Sequence, residues 1–316
     1  MEKIRLGISS CLLGHRVRFD GGHRWDRFIT DTWGQFVDFV PVCPEVECGL
    51  GVPREAMRLL GDPEAPRLLT VRTQKDYTQM MLAWAQKRVL ELERENLCGF
   101  IFKSKSPSSG LARVKVYGAT GQSPVPRGVG LFARAFREHF PLLPVTDEGR
   151  LHDPGLRENF MERLFVCQRW RQLLAAKAGL GNLVAFHTRH KLQILAHSPA
   201  HYRQLGNLVA RAKERPLPEV YGQYQSMLME ALRLKATPKK NANVLQHLMG
   251  YFKKNLSADE KQELLEIIAS YHQGQVPLIV PITLINHYVR QSRQPYLQEQ
   301  FYLHPHPLEL RLRNHG

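Results

Sequence analysis

Residues 4–14, Ile4-Arg5-Leu6-Gly7-Ile8-Ser9-Ser10-Cys11-Leu12-Leu13-Gly14, pass from an apolar run into a loop of small residues that carries a cysteine and ends on glycine. Ile4 to Ile8 has the length and composition of a strand, and Ser9 to Gly14 those of a turn. The same order returns twice. Phe36 to Val42 runs into the loop Cys43 to Pro53, and Cys98 to Lys103 runs into Ser104 to Gly110. Between these two, Tyr77 to Leu97 places Met80, Met81, Trp84, Ala85, Val89 and Leu92 at helical spacing among Glu and Lys/Arg. Strand, helix, strand predicts an α/β domain on a mainly parallel, Rossmann-like sheet. Three loops that follow three parallel strands leave one sheet edge together, where open α/β sheets collect their functional groups.

Outward from this core the pattern changes. Around Pro141 to Pro154 it breaks into Pro, Gly and charged residues, and helical periodicity then dominates, so the expected domains are residues 1–148 and 155–316, the second all-α. Asp153-Pro154 offers an N-cap and a first-turn proline for a helix through Arg171 that stops near Gly179-Leu180-Gly181. Further helices are expected over Leu183 to His197, Ala200 to Lys213, Pro218 to Lys235, Lys239 to Asn255 and Ala258 to Gln273, the last opened by a capping box of Ser257 and Glu260. Phe301 to Arg313, with Pro305 and Pro307, is expected to be an extended tail.

At 316 residues the chain is longer than one hydrophobic core usually grows, which agrees with two domains. Its 43% hydrophobic and 23% charged residues are those of a folded globular protein. No stretch has the length of a signal peptide or a membrane span, so a cytoplasmic location is expected. Five cysteines, Cys11, Cys43, Cys48, Cys98 and Cys167, are an odd number in such a chain and favour free thiols or metal ligands over a disulfide scaffold. The net charge of +15 is uneven: residues 1–150 hold 22 Lys/Arg against 17 Asp/Glu, and residues 151–316 hold 22 against 12. Such a surface attracts anions and nucleic acid without identifying either.

Cys11 and Cys43 stand in analogous strand-end loops, a placement that suits an iron–sulfur cluster, although a lone cysteine is more often a small core residue. Cys48 is close enough to Cys43 to share a metal but lacks the Cys-x-x-Cys spacing, and Cys98 and Cys167 read as core. Lys103 to Gly110 is a hydroxyl-rich, cationic loop able to grip an anion or heterocycle, or simply a turn. Glu45 beside Cys43 is a candidate acid or base, or a solvated charge. His187, His190 and His197 lack the His-Glu-x-x-His pattern and read as a polar helical face or interdomain contact, as do His304 and His306 in the tail.

Taken together, Ser9-Ser10-Cys11-Leu12-Leu13-Gly14, Val17-Arg18-Phe19-Asp20-Gly21, Pro41-Val42-Cys43-Pro44-Glu45 and Lys105-Ser106-Pro107-Ser108-Ser109-Gly110 resemble the N-terminal domain of the thiouracil desulfurases. Residues 151–316 resemble the helical domain often fused to it, through Phe186-His187-Thr188-Arg189-His190-Lys191, His247-Leu248-Met249-Gly250-Tyr251-Phe252-Lys253 and Val280-Pro281-Ile282-Thr283. The resemblance implies non-redox desulfuration of a thiolated pyrimidine, 2- or 4-thiouracil to uracil and sulfide, on a [4Fe-4S] cluster held by three cysteines with one iron open. Cys11 and Cys43 match two ligands, Glu45 would activate water or relay a proton, and Ser106 would orient the ring.

The third ligand belongs in a Ser-Pro-Ser-Cys-Gly motif, where this chain has Ser109. A hydroxyl is a harder, far less acidic donor than a thiol and a poor ligand for iron. Three readings are open: a Cys-to-Ser change that disables the site, replacement of the ligand by Cys48, or loss of the cluster. The intact remainder of the motif set favours the first. A rival function is RNA association, in which the basic helical half contacts thiolated tRNA. A third is a helical half that only covers the site.

Overall fold

A computed structural model describes residues 2–118, 123–176, 179–252 and 255–314. The chain falls into two compact units divided between Asp153 and Pro154.

The first unit runs β1 (Ile4–Ser9), β2 (Val37–Val42), a one-turn α1 (Pro44–Glu47), β3 (Met57–Leu60), β4 (Arg67–Thr70), α2 (Thr78–Glu93), β5 (Phe100–Phe102), β6 (Val114–Tyr117), β7 (Val125–Gly128), α3 (Leu131–His139) and β8 (Val145–Asp147). One sheet has the order β2-β1-β5-β8 and is parallel throughout. Its central strands are apolar because both faces are covered: Ile4, Leu6, Ile8, Phe100, Ile101 and Phe102 are inaccessible to solvent. Phe100 and Phe102 stack with ring centroids 4.2 Å apart and meet Phe132 and Phe136 of α3, while α2 adds Ala85, Val89 and Leu92 to the same core. The helical spacing of Met81, Ala85, Val89 and Leu92 is thus explained by burial, whereas Met80 faces solvent.

Register positions the site. Ser9 lies opposite Val42, Ile8 opposite Ile101, and Phe102 opposite Asp147. The residues that follow these strands, Ser10-Cys11, Cys43, Lys103 and Glu148, therefore emerge along one carboxyl edge.

A second sheet, in the order β4-β3-β6-β7, was not expected. Its strands are four residues each, too short for a periodicity to register, and β3 pairs in parallel with the distant β6. Cys98 lies just before β5 and is buried, as is Cys167 on α4.

The second unit comprises α4 (Pro154–Ala175), α5 (Leu180–His197), α6 (Pro199–Ala210), α7 (Leu217–Arg233), α8 (Pro238–Gly250), α9 (Ala258–His272), α10 (Ile279–Ser292) and the short α11 (Pro295–Gln298). The capping box on α9 forms, with Glu260 N–H donating to Ser257 Oγ at 3.2 Å and Ser257 N–H to Glu260 Oε2 at 2.7 Å. Helix α10 is an addition to the expected set; its Pro281 falls in the first turn, where a missing N–H costs nothing.

Two expectations need correction here. The tail from Phe301 to Arg313 is not extended but folds back through turns and a short 3₁₀ helix, Leu308–Leu310, because Arg313 is an internal anchor. Its guanidinium donates to Glu158 at 3.2 Å, to Glu162 at 3.0 Å and to the Tyr302 carbonyl at 2.6 Å. His187, His190 and His197 do not form a polar face; all three are buried inside this unit, bonded to Tyr224, the Phe186 carbonyl and Glu162 respectively. Among the described residues no helix is long and apolar enough to cross a membrane.

Candidate functional site

The carboxyl edge of the parallel sheet opens into a cavity of about 370 Å³. Cys11, Cys43, Glu45, Ser106 and Ser109 all line it, with Arg18, Arg54 and Lys105 among its cations. Three separate loops contribute the five, as the strand order requires.

Cys11 sits in a 3₁₀ turn, Ser10–Leu13, that ends on Gly14 at φ 91°, a left-handed conformation suited to glycine. Arg24 N–H donates to the Cys11 carbonyl at 2.8 Å and fixes this turn against the next loop. Cys43 precedes α1, and its N–H is held by the Glu47 carboxylate at 2.7 Å. The Cys43 thiol lies 3.7 Å from Glu45 Oε2 and 3.9 Å from the Val17 carbonyl.

The loop Ser106 to Gly110 is clamped by the start of α3. Phe132 and Ala133 N–H groups donate to the Ser108 carbonyl at 2.9 and 3.2 Å, and Leu131 N–H to Pro107. Gly130 is required for this approach, since a Cβ there would lie 2.5 Å from the Ser108 backbone. Side chains then close the loop internally: Ser106 Oγ accepts from the Ser108 and Ser109 N–H groups at 3.3 and 3.2 Å. Ser108 is wholly buried and donates to Glu45 Oε1 at 2.6 Å. That residue is given no role in the reading of the sequence, unlike its neighbours Ser106 and Ser109.

Lys103 is paired with Glu148, which also accepts from Ser104 N–H at 2.8 Å and Ser104 Oγ at 2.6 Å. Burial opposes ionisation of Glu148, but these donors hold its carboxyl below the usual range. Burial, reinforced by Glu45, pushes the Cys11 thiol up to about 11 and the Cys43 thiol up to about 12. Both are therefore neutral thiols near pH 7.

Cys48 is not among the residues lining the cavity. Its thiol donates to the Glu45 carbonyl at 3.3 Å, and its side chain packs against the apolar cluster of Leu59, Met81 and Val114. The turn that starts α1 thus puts Cys43 on the cavity wall and Cys48 outside it, against the apolar cluster.

Whether the donor set fits an iron–sulfur cluster is decided corner by corner. Cys11 and Cys43 supply two soft donors from adjacent strand ends into a shared, sheltered cavity, which fits. Ser109 lines the same cavity with a hydroxyl, which is a poor donor to iron, so a third soft ligand is not supplied there. Among the described residues, Cys11, Cys43 and Glu45 do not bring three ligand atoms within 4.8 Å of one another, so they are not set out for a single small ion. Glu158, Glu162 and His306 do meet that spacing, but the cation between those carboxylates is Arg313.

Residues 6–148 match the family model of 2-thiouracil desulfurase, and residues 191–307 match that of a protein of unknown function, DUF1722. The chain is 34% identical over 155 residues to the uncharacterized protein YbgA of Escherichia coli (strain K12), a match covering 49% of this chain and 92% of YbgA. A solved structure of a [4Fe-4S]-dependent thiouracil desulfidase, TudS, is 25% identical with a TM-score of 0.39, covering 48% of this chain and 95% of that one. The first unit thus carries a domain that matches the 2-thiouracil desulfurase family and the second a domain that matches DUF1722, and the chain belongs to the family of YbgA.

Proposed function

We propose that the α/β domain, residues 1–148, removes sulfur from thiolated pyrimidines without net redox change: 2- or 4-thiouracil and water give uracil and hydrogen sulfide. The observation that carries this reading is the meeting of Cys11, Cys43, Ser109, Glu45 and Ser106 on one cavity of about 370 Å³, a volume suited to a cofactor with a small ring beside it. Cys11 and Cys43 would hold a [4Fe-4S] cluster, with Ser109 at the corner where the family has cysteine. When bound, such a cluster supplies an open iron as a Lewis acid for the thiocarbonyl sulfur.

The chain's own residues supply the rest. Glu45, fixed between Ser108 and the Arg54 guanidinium, takes a proton from the attacking water at the ring carbon. Ser106 presents a hydroxyl from the cavity wall and orients the ring. Anaerobic reconstitution with iron and sulfide, followed by metal analysis, an absorbance spectrum and a 4-thiouracil assay, tests the reading. In a cluster-competent Ser109→Cys background, Glu45→Gln and Ser106→Ala should leave the spectrum intact and slow turnover by roughly 10²-fold. Near-normal turnover by Glu45→Gln would remove it as the base, and absence of any cluster signal in the Ser109→Cys background would remove the reading.

A second reading, that the thiolated base is presented within tRNA, draws on the surroundings of the cavity. A neighbouring opening shares Arg24 and Lys103 with it and adds Trp25, Arg27 and His152. Trp25 is exposed with the Arg27 guanidinium 4.9 Å from its ring, and Phe19 is exposed at the cavity itself. Exposed aromatic faces among cations suit unstacked bases and phosphates. The helical domain, 155–316, would add its excess of Lys/Arg. Filter binding of tRNA at rising salt tests this; affinity independent of salt, or no binding, removes it.

A further inference from the structure

We propose that Ser108 is the positioning residue of this site: it holds the Glu45 carboxylate toward the cavity and joins it to Ser106 through a directed chain of hydroxyl protons. The reaction it would serve rests on the desulfuration reading above; the geometry does not.

Hydrogen-bond accounting sets the direction. Glu45 as a carboxylate only accepts, so the 2.6 Å contact requires Ser108 Oγ to donate its single proton to Glu45 Oε1. Ser108 Oγ also lies 3.0 Å from Ser106 Oγ, and having spent its proton it can only accept there. Ser106 therefore donates to Ser108, while its own lone pairs receive the Ser108 and Ser109 N–H groups. The chain reads Ser106 to Ser108 to Glu45. Both ends line the cavity and the middle does not, for Ser108 is buried behind it.

The backbone of Ser108 is immobilised by α3 and Gly130, so its hydroxyl meets the Glu45 carboxylate at a fixed point.

A double-mutant cycle on Ser108→Ala and Glu45→Ala tests the assignment twice. In the metal-free chain, the shifts in urea unfolding midpoint should be less than additive, because each change removes the same hydrogen bond; strictly additive shifts would overturn the pairing. In the Ser109→Cys background reconstituted with iron and sulfide, each single change should lower kcat for 4-thiouracil by roughly 10²-fold with little change in KM, and the double change should cost no more than the larger single one. Multiplied losses, or a normal kcat in Ser108→Ala, would overturn the positioning role. Coupling in unfolding with no turnover by any loaded variant would keep the Ser108–Glu45 pair and remove the desulfuration reading.

Discussion

Arg54 donates from Nη1 to the carbonyl of Val17 at 3.0 Å and so ties the loop after β1 to the segment that follows β2. The same guanidinium reaches the Gly51 carbonyl at 3.2 Å and lies 3.8 Å from the Glu45 carboxylate, while the Arg54 N–H donates to Phe19. A planar fork can serve two carbonyls and a carboxylate at once; an ammonium on a flexible stem cannot hold that geometry. Arg54→Lys should therefore keep the charge beside Glu45 yet lower stability by about 1–3 kcal/mol and loosen the wall that carries Phe19. Urea unfolding and proteolysis of residues 15–24 measure both effects, and an unchanged midpoint would show the fork to be dispensable.

The cysteines separate into two classes. Cys11→Ala and Cys43→Ala should each abolish iron retained after reconstitution, since each empties one corner of the cavity. Cys98→Ala and Cys167→Ala remove small buried groups and should cost only about 1 kcal/mol in stability, with iron content unchanged. Iron lost from either of the latter would overturn this division.

At the third corner, Ser109→Cys should raise iron toward the roughly four per chain of a complete cluster and increase thiouracil turnover, because a thiolate replaces a hydroxyl on the same cavity wall. Cys48→Ala should change neither, its thiol being engaged with the Glu45 carbonyl. A full cluster in the unaltered chain that disappears in Cys48→Ala would reverse both expectations.

In the helical domain, burial opposes ionisation of Glu162, but the hydrogen bond from His197 and the charge of Arg313 hold its carboxyl down to about 2. Glu158, His306 and Arg169 also face this cluster. A carboxyl depressed by folding contributes stability that is complete above its ordinary value near 4.5 and is lost as pH falls toward 2. Glu162→Gln should flatten the acid limb of stability between those values. It should also cost about 3 kcal/mol or more at neutral pH, where Arg313 stays buried with one carboxylate fewer. Unfolding midpoints at pH 3 and pH 7 check both, and parallel acid limbs for the two chains would exclude Glu162 as their source.

Local signals in the sequence carried the parallel sheet, the helical second half and the meeting of Cys11, Cys43 and Ser106 at one edge. Apolar runs that stop at Ser9, Val42 and Phe102 specify strands by burial, and parallel strands whose carboxyl ends lie in register release their loops together. The capping box of Ser257 and Glu260 is equally local, since donor and acceptor lie three residues apart. What tertiary structure alone decided depends on contacts far apart in the chain. The pairing of β3 with β6, the recruitment of Arg313 to Glu158 and Glu162, and the burial of His187, His190 and His197 have no local pattern.

The same division runs through the site. The sequence puts Cys43 and Cys48 in one loop, and the first turn of α1 sends one thiol into the cavity and the other toward the apolar cluster that includes Met81. It also presents Ser106, Ser108 and Ser109 as three like hydroxyls. Only the docking of α3 on the Ser108 carbonyl makes the middle one a buried donor to Glu45, because hydrogen-bond direction depends on which partners folding has placed within about 3 Å.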